Sequence, residues 1–251
     1  MRKFRMRKAY IYFSAVVAFM IHLPLAFAHG KTFSSKNLKM AAGTISAAHV
    51  TVSESISKIY DSLKLNLSGL SQNAFNFAVK GFLFLKEKGK IANDNVLSIV
   101  DFSLPSSKKR LFVIDLKNDK ILFNTYVAHG QGSGAGMATQ FSNVPESYQS
   151  SLGFYTTETT YTGKNGYSLH LAGMEKGIND RAEERAIVMH GAPYVSEGFI
   201  QSRGFLGRSW GCPAVPEQLS RPIIEKIKNG SCLFIFSENN RYLHGSQIIN
   251  S

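Results

Sequence analysis

The stretch from Ala186 to Val215 constrains this chain more than any other. An apolar run, Ala186-Ile187-Val188-Met189, ends in His190-Gly191. After a gap comes Arg208-Ser209-Trp210-Gly211-Cys212-Pro213-Ala214-Val215. Gly198, Gly204 and Gly207 interrupt the gap, so it reads as a loop that returns the cysteine to the histidine. Thiol chemistry needs a thiolate, and a free cysteine is mostly protonated at neutral pH. A neighbouring imidazole takes that proton, and nearby cations lower the thiol pKa. Cys212 therefore reads as a nucleophile and His190 as its base. Gly211 lets the backbone approach a substrate carbonyl, and N–H groups around Ser209 and Gly211 suit a developing oxyanion. A Cys212–Cys232 disulfide is the structural rival. Cys232 lies in the apolar run Cys232-Leu233-Phe234-Ile235-Phe236, which suits a buried small side chain better.

His190-Gly191, the gap and Ser209-x-Gly211-Cys212 resemble the signature of the YkuD-like L,D-transpeptidase catalytic domains of bacterial cell walls. The longer form, G-R-S-W-G-C-P-A, resembles the Trp-containing branch of that family, and the likeness runs from about Leu70 to Phe236. Trp210 stands where a His is usual, and Ala214 where an Arg or Asn is usual. The resemblance implies an α+β fold: a mixed, mostly-β, sandwich-like catalytic domain with N-terminal helices packed on it. It implies acyl transfer on peptidoglycan tetrapeptide stems through a cysteine acyl-enzyme, giving 3→3 cross-links. With water as acceptor, the same thiol makes an L,D-carboxypeptidase. A catalytically inactive wall-binding protein is the reading of another class, and Trp210 and Ala214 are its support.

The resemblance also gives Gly191 a backbone role, its carbonyl orienting the His190 ring, with Asp180 as the alternative partner. Arg208 is a candidate for a stem carboxylate and Trp210 for an aromatic platform. Gly153 and Tyr155 match the family's T-P-x-G-x-[F/Y] element, and Tyr155 joins the candidate substrate-binding residues. His129 and His170 are candidates of either kind, structural or substrate-binding.

No metal or organic cofactor is implied. Ser168-x-His170-x-x-Gly173 matches half of a zinc D,D-peptidase motif, but Glu175 and Gly177 break the other half, and two ligands without a third make a poor metal site. Gly130-x-Gly132-x-x-Ala135 fits a permissive dinucleotide fingerprint loosely, yet no helix-periodic run follows it.

Residues 1–28 read as a secretory signal peptide: a basic start with Arg2, Lys3, Arg5, Arg7 and Lys8, an apolar run from Ala9 to Ile21, and Ala26-Phe27-Ala28 as a cleavage site. Export to the periplasm or cell wall is the expectation. Those five cations form part of the net +12, which leaves +7 on residues 29–251. That charge is compatible with loose association to an anionic envelope surface. Nothing resembles a nucleic-acid module.

Residues 29–50 read as a polar tether and 51–105 as a helical segment. Within it, Val52 to Leu63 recur at helical spacing. Ser71 is an N-cap flanked by Leu70 and Phe75 as a hydrophobic staple. Residues 106–237 form the expected catalytic domain. It opens with a hairpin, Leu111–Leu116 and Ile121–Ala128, about the turn Lys117-Asn118-Asp119-Lys120. His129 to Gly153 reads as a long loop lining the cleft. Ser168–Leu171 and Ala186–Met189 read as strands, Ser220–Lys228 as a helix and Cys232–Phe236 as a strand. Residues 238–251 read as a polar tail.

Overall fold

The structure, a computed structural model, describes residues 58–251. The expected signal peptide, the tether and the start of the first expected helix lie outside the described residues. Helix α1 spans Gln72–Glu87, and the Ser71 hydroxyl accepts from the Ala74 N–H at 3.1 Å. Such a cap is worth about 1 kcal/mol. Burial of Phe75, Val79, Phe82 and Leu85 contributes more, roughly 1.5–3 kcal/mol for each side chain. The apolar stripe is what docks this helix.

Among the described residues, eight strands form one mixed sheet: β1 Val96–Asp101, β2 Leu111–Asp115, β3 Lys120–Thr125, β4 Gly153–Gly163, β5 Gly166–Gly173, β6 Val188–Ala192, β7 Ala214–Pro216 and β8 Cys232–Phe236. Their order is β3-β2-β1-β8-β4-β5-β6-β7. The last strand, β8, lies between β1, to which it is parallel, and β4, to which it is antiparallel. Its five residues are apolar and all buried, as a strand covered on both faces requires. The structure is thus α+β and mostly β.

Two helices cover opposite faces. On one, Phe154 and Phe234 stack with ring centroids 4.2 Å apart, and Phe77 of α1 stacks on Phe236 at 6.0 Å. On the other lies α3, Glu217–Ile227, burying Ile223, Ile224 and Ile227. It rests on Gly191 of β6, where an added Cβ would stand 2.9 Å from the Ser220 Oγ. Side chains alternate along a strand. With Gly191 towards α3, His190 projects from the opposite face.

Several boundaries differ from the sequence reading. The helical segment expected over 51–105 ends at Lys88, and Val96–Asp101 is a central strand. All six of its residues are buried, so it shows no alternation to separate it from a helix core. The expected tail is packed: helix α4, Asn240–Gly245, buries Tyr242, and Ile248 and Ile249 follow it into the core. The loop between His190 and Cys212 holds the helix α2, Glu197–Arg203, capped by Ser196. Helix α3 starts at Glu217, so Pro222 lies inside it rather than at its entry.

Candidate active site

The cysteine loop is clamped on one side as if it were a strand. The Ala128 N–H donates to Ala214 O at 2.8 Å, the Ser209 N–H to His129 O at 3.0 Å and the Gln131 N–H to Ser209 O at 2.8 Å. Within the loop, the Ser209 hydroxyl accepts from the Gly211 N–H at 3.1 Å and donates to Cys212 O at 2.7 Å. Gly211 has φ +125°, and a Cβ there would stand 2.8 Å from Gln149 O. Only glycine fits such a position without strain. Ser150 ties the loop to the long segment before it: its hydroxyl accepts from the Gly130 N–H at 3.0 Å and donates to Gly211 O at 3.2 Å.

Strands β6 and β7 run parallel, with His190 opposite Ala214, two residues beyond Cys212. On its other side His190 pairs with Ser168 of β5. Its Nδ1 donates to Gly191 O at 2.9 Å, which leaves the Nε2 lone pair free to accept a proton. Burial pushes the imidazole below its ordinary 6.5, so it is neutral at pH 7. Cys212 is half-buried, and its thiol donates to Ala186 O at 3.7 Å. Burial pushes the thiol up from 9.0, while the Val188 N–H and the charge of Arg185 pull it down. The resting pair is therefore a neutral thiol and a neutral imidazole. Among the described residues no hydrogen bond joins them.

Arg185 is the cation that acts on the thiol. Its guanidinium donates to Ser142 O at 2.9 Å, to Gln149 O at 2.6 Å and to the Ser151 hydroxyl. None of the ion pairs among the described residues includes it. Its charge is thus fixed beside the cysteine loop by neutral acceptors. Burial, with the Cys212 sulfur adding to it, pushes the Tyr194 phenol up to about 12.

A family model described as L,D-transpeptidase catalytic domain matches residues 66–236, from before α1 to the end of β8. The chain belongs to the L,D-transpeptidase catalytic domain family. Among solved structures it is similar to an L,D-transpeptidase from Mycobacterium smegmatis, at 12% identity over 57% of this chain and 59% of that one, with a TM-score of 0.35. It is also similar to the helical cell shape determining protein Pgp2 from Campylobacter jejuni, at 14% identity over 68% and 61%, TM-score 0.39. A third is the L,D-transpeptidase (Yku) from Stackebrandtia nassauensis, at 15% identity over 74% and 77%, TM-score 0.36. The chain spans less than two thirds of the length of the first two. No curated protein sequence matches it.

Within this L,D-transpeptidase domain several expected site residues serve the framework instead. His129 is fully buried. Its Nδ1 accepts from Arg110 at 2.7 Å and its Nε2 faces Gly134 O at 3.2 Å. Burial, with the charge of Arg110, pushes it down to about 4, so it is a neutral strut. Arg110, itself buried, also donates to Val127 O and Leu104 O and lies over the Phe102 ring at 4.6 Å. Together they brace the segment that pairs with the cysteine loop. Tyr155 is fully buried and donates to Ser151 O at 3.0 Å, out of substrate's reach. Asp180 accepts from Asn143 and from the Gly177 N–H, not from His190. The Gly211 N–H is spent on Ser209, so it is not a free oxyanion donor.

Three candidates remain accessible. Trp210 is 71% exposed and meets Tyr148 edge-on, with centroids 5.7 Å apart. His170 is half-buried and stacks on Tyr161 at 4.5 Å, on the same face of the sheet as His190. Arg208 is exposed, donates to Gly134 O at 3.0 Å and lies over the Phe205 ring. Cys212 and Cys232 are both free thiols, and Cys232 is buried in β8.

Proposed function

We propose that the chain is an exported, thiol-dependent L,D-transpeptidase acting on peptidoglycan tetrapeptide stems. One arrangement supports the reading. Within the family domain, parallel strands put His190, its Nδ1 held by Gly191 O, beside the loop that carries the Cys212 thiol.

The thiol leaves Ala186 O and passes its proton to His190 Nε2. The thiolate attacks the carbonyl carbon of the stem's third residue, a diamino acid. The Cys212 N–H, which donates to no other group among the backbone bonds of the described residues, is available to the oxyanion. The C–N bond to the terminal D-alanine breaks, and the imidazolium returns the proton to the departing amine. A thioester remains. The side-chain amine of a second stem then attacks it, giving a 3→3 cross-link and restoring the thiol. Attack by water releases a tripeptide from the same intermediate.

The test is intact mass of residues 29–251 after incubation with a carbapenem, then with a disaccharide-tetrapeptide. The expected result is an adduct on the wild-type protein that Cys212→Ala lacks, followed by the mass of a cross-linked dimer or of a tripeptide. No adduct and no product, with both thiols reduced, would leave the inactive wall-binding reading. The exposed Trp210 favours that alternative.

A further inference from the structure

Beside the cysteine loop lies a groove of about 210 Å³, bordered by Gln131, Tyr194, Phe199, Arg203, Phe205 and Arg208. It adjoins the cysteine loop through Gln131 and through Arg208, which precedes Ser209. The Gln131 N–H donates to Ser209 O at 2.8 Å. The Gly207 N–H, next to Arg208, donates to Tyr194 O at 2.9 Å and seats Tyr194 along the groove wall. The groove thus lies against the cysteine loop and carries two arginines.

No acidic side chain lines the groove, and the ion pairs among the described residues include neither Arg203 nor Arg208. Both guanidinia are nonetheless held in place. Arg203 lies over the Phe199 ring at 5.0 Å, one turn earlier on α2. Arg208 lies over Phe205 at 5.9 Å and spends one N–H on Gly134 O. A guanidinium already stacked on an aromatic face loses little freedom when it binds an anion, and its planar fork matches a carboxylate. The groove is smaller than the roughly 300–1,000 Å³ of sites for drug-sized ligands. It fits one amino-acid residue rather than a whole stem.

We infer that this groove holds the C-terminal residue that departs in the first step, with Arg203 and Arg208 binding its free carboxylate. The inference rests on the proposed transpeptidase reaction. In that reaction a single residue follows the attacked carbonyl, and it ends in a carboxylate. A groove of this size and charge, set against the loop that carries the thiol, suits that residue. The subsite would make the enzyme read the end of the donor peptide as well as the bond it cuts.

The experiment compares two donors, a tetrapeptide with a free C-terminal carboxylate and its C-terminal carboxamide. kcat/KM is measured from the release of the terminal residue. The wild-type chain is expected to prefer the acid by on the order of 100-fold, as charge-assisted bidentate bonds allow. In Arg203→Gln and Arg208→Gln that preference is expected to fall about tenfold each. Free D-alanine should compete with the acid donor, D-alaninamide should not, and the Arg208→Gln variant should lose the competition. Thermal unfolding checks that each variant is folded. Equal wild-type rates on acid and amide overturn the subsite and leave the transpeptidase reading standing. A preference that survives in both variants does the same. Turnover of neither donor overturns both.

Discussion

Gly130 and Gly211 approach so closely that a Cβ on Gly130 would stand 2.9 Å from the Gly211 Cα and 3.0 Å from its nitrogen, besides meeting Tyr148 O at 2.3 Å. The sequence pattern Gly130-x-Gly132 that loosely matches a dinucleotide loop is a packing device: Gly130 lets its backbone touch that of the cysteine loop, and Gly132 lies against Ser147 O, 2.5 Å from where its Cβ would be. Gly130→Ala is expected to cost about 1–3 kcal/mol, the usual range for overpacking. In a domain of this size that lowers Tm by roughly 2–4 °C for each kcal/mol. The same change should displace Gly211 and cut acyl-enzyme formation. Gly136→Ala is the control, because its nearest neighbour would be 3.5 Å away. A Gly130→Ala protein that matches Gly136→Ala in both Tm and acylation rate would refute this account.

The two thiols should behave differently. Cys212 is half-buried, with a cation acting on it, and Cys232 is fully buried between β1 and β4, where burial alone pushes its pKa far up. Titration of the folded protein with a thiol reagent at pH 8 should show one fast equivalent, absent in Cys212→Ala, and a second only on unfolding. Cys232→Ser should keep the fast equivalent and lose about 1–3 kcal/mol by burying a hydroxyl with no partner. Two equally fast equivalents would contradict the burial of β8.

The cysteine motif, the cap at Ser71, the hairpin of β2 and β3 and the strand β8 are legible because each has a local signature: motif spacing, a capping serine before an apolar stripe, turn residues between apolar runs, an unbroken apolar strand. What escapes the sequence depends on distant partners. Val96–Asp101 is buried on both faces and so carries no period. Helix α2 buries none of its residues completely, so no stripe announces it. Arg185 follows Glu183 and Glu184 and looks like part of a solvated charged run. Only the fold turns it away from them towards Gln149 O and Ser142 O. His129 looks like a cleft histidine until Arg110, nineteen positions earlier, closes over it.

The pH dependence of acylation follows from His190. Burial lowers its pKa below 6.5, so the imidazole is free to accept a proton at pH 7. As pH falls through that lowered value it becomes protonated and cannot take the thiol's proton. kcat/KM should therefore hold from pH 8 to about 6.5 and fall below it, about tenfold per pH unit once past the pKa. The native state binds this proton less readily than the unfolded chain, so stability also declines as pH falls below 6.5. A profile with its acid limb centred above pH 7 would rule out a buried neutral His190 as the base.

Glu175 gives the opposite slope. Its carboxylate is buried, accepting from the Phe154 N–H at 2.9 Å, from Tyr242 at 3.1 Å and from Ser246, so it anchors α4 to β4. Burial raises its pKa above 4.5 despite these donors. The native carboxyl keeps its proton where the unfolded one has lost it. Its contribution to stability is therefore largest below about pH 4.5 and is lost as pH rises through the native value. The Tm of Glu175→Gln minus that of wild type should increase between pH 5 and pH 8. A difference that stays flat across that range would mean the group does not titrate there.

The charge of Arg185 acts on the nucleophile from outside the cysteine motif. The family motif usually carries an Arg or Asn two residues after the cysteine, and this chain has Ala214 there. Arg185 supplies a cation from another segment, fixed by four neutral acceptors and opposing the rise that burial imposes on the thiol. Replacing it with Met keeps much of the apolar stem and removes the charge. The rate of Cys212 labelling in Arg185→Met should then fall roughly three- to tenfold at pH 8, and its pH profile should move to higher pH. Arg185→Lys, which keeps the charge but not the fork, should recover the pH profile more fully than the Tm. A purely structural role predicts the reverse: both variants lose Tm and labelling rate together, while the midpoint of the pH profile stays where it is in the wild-type protein.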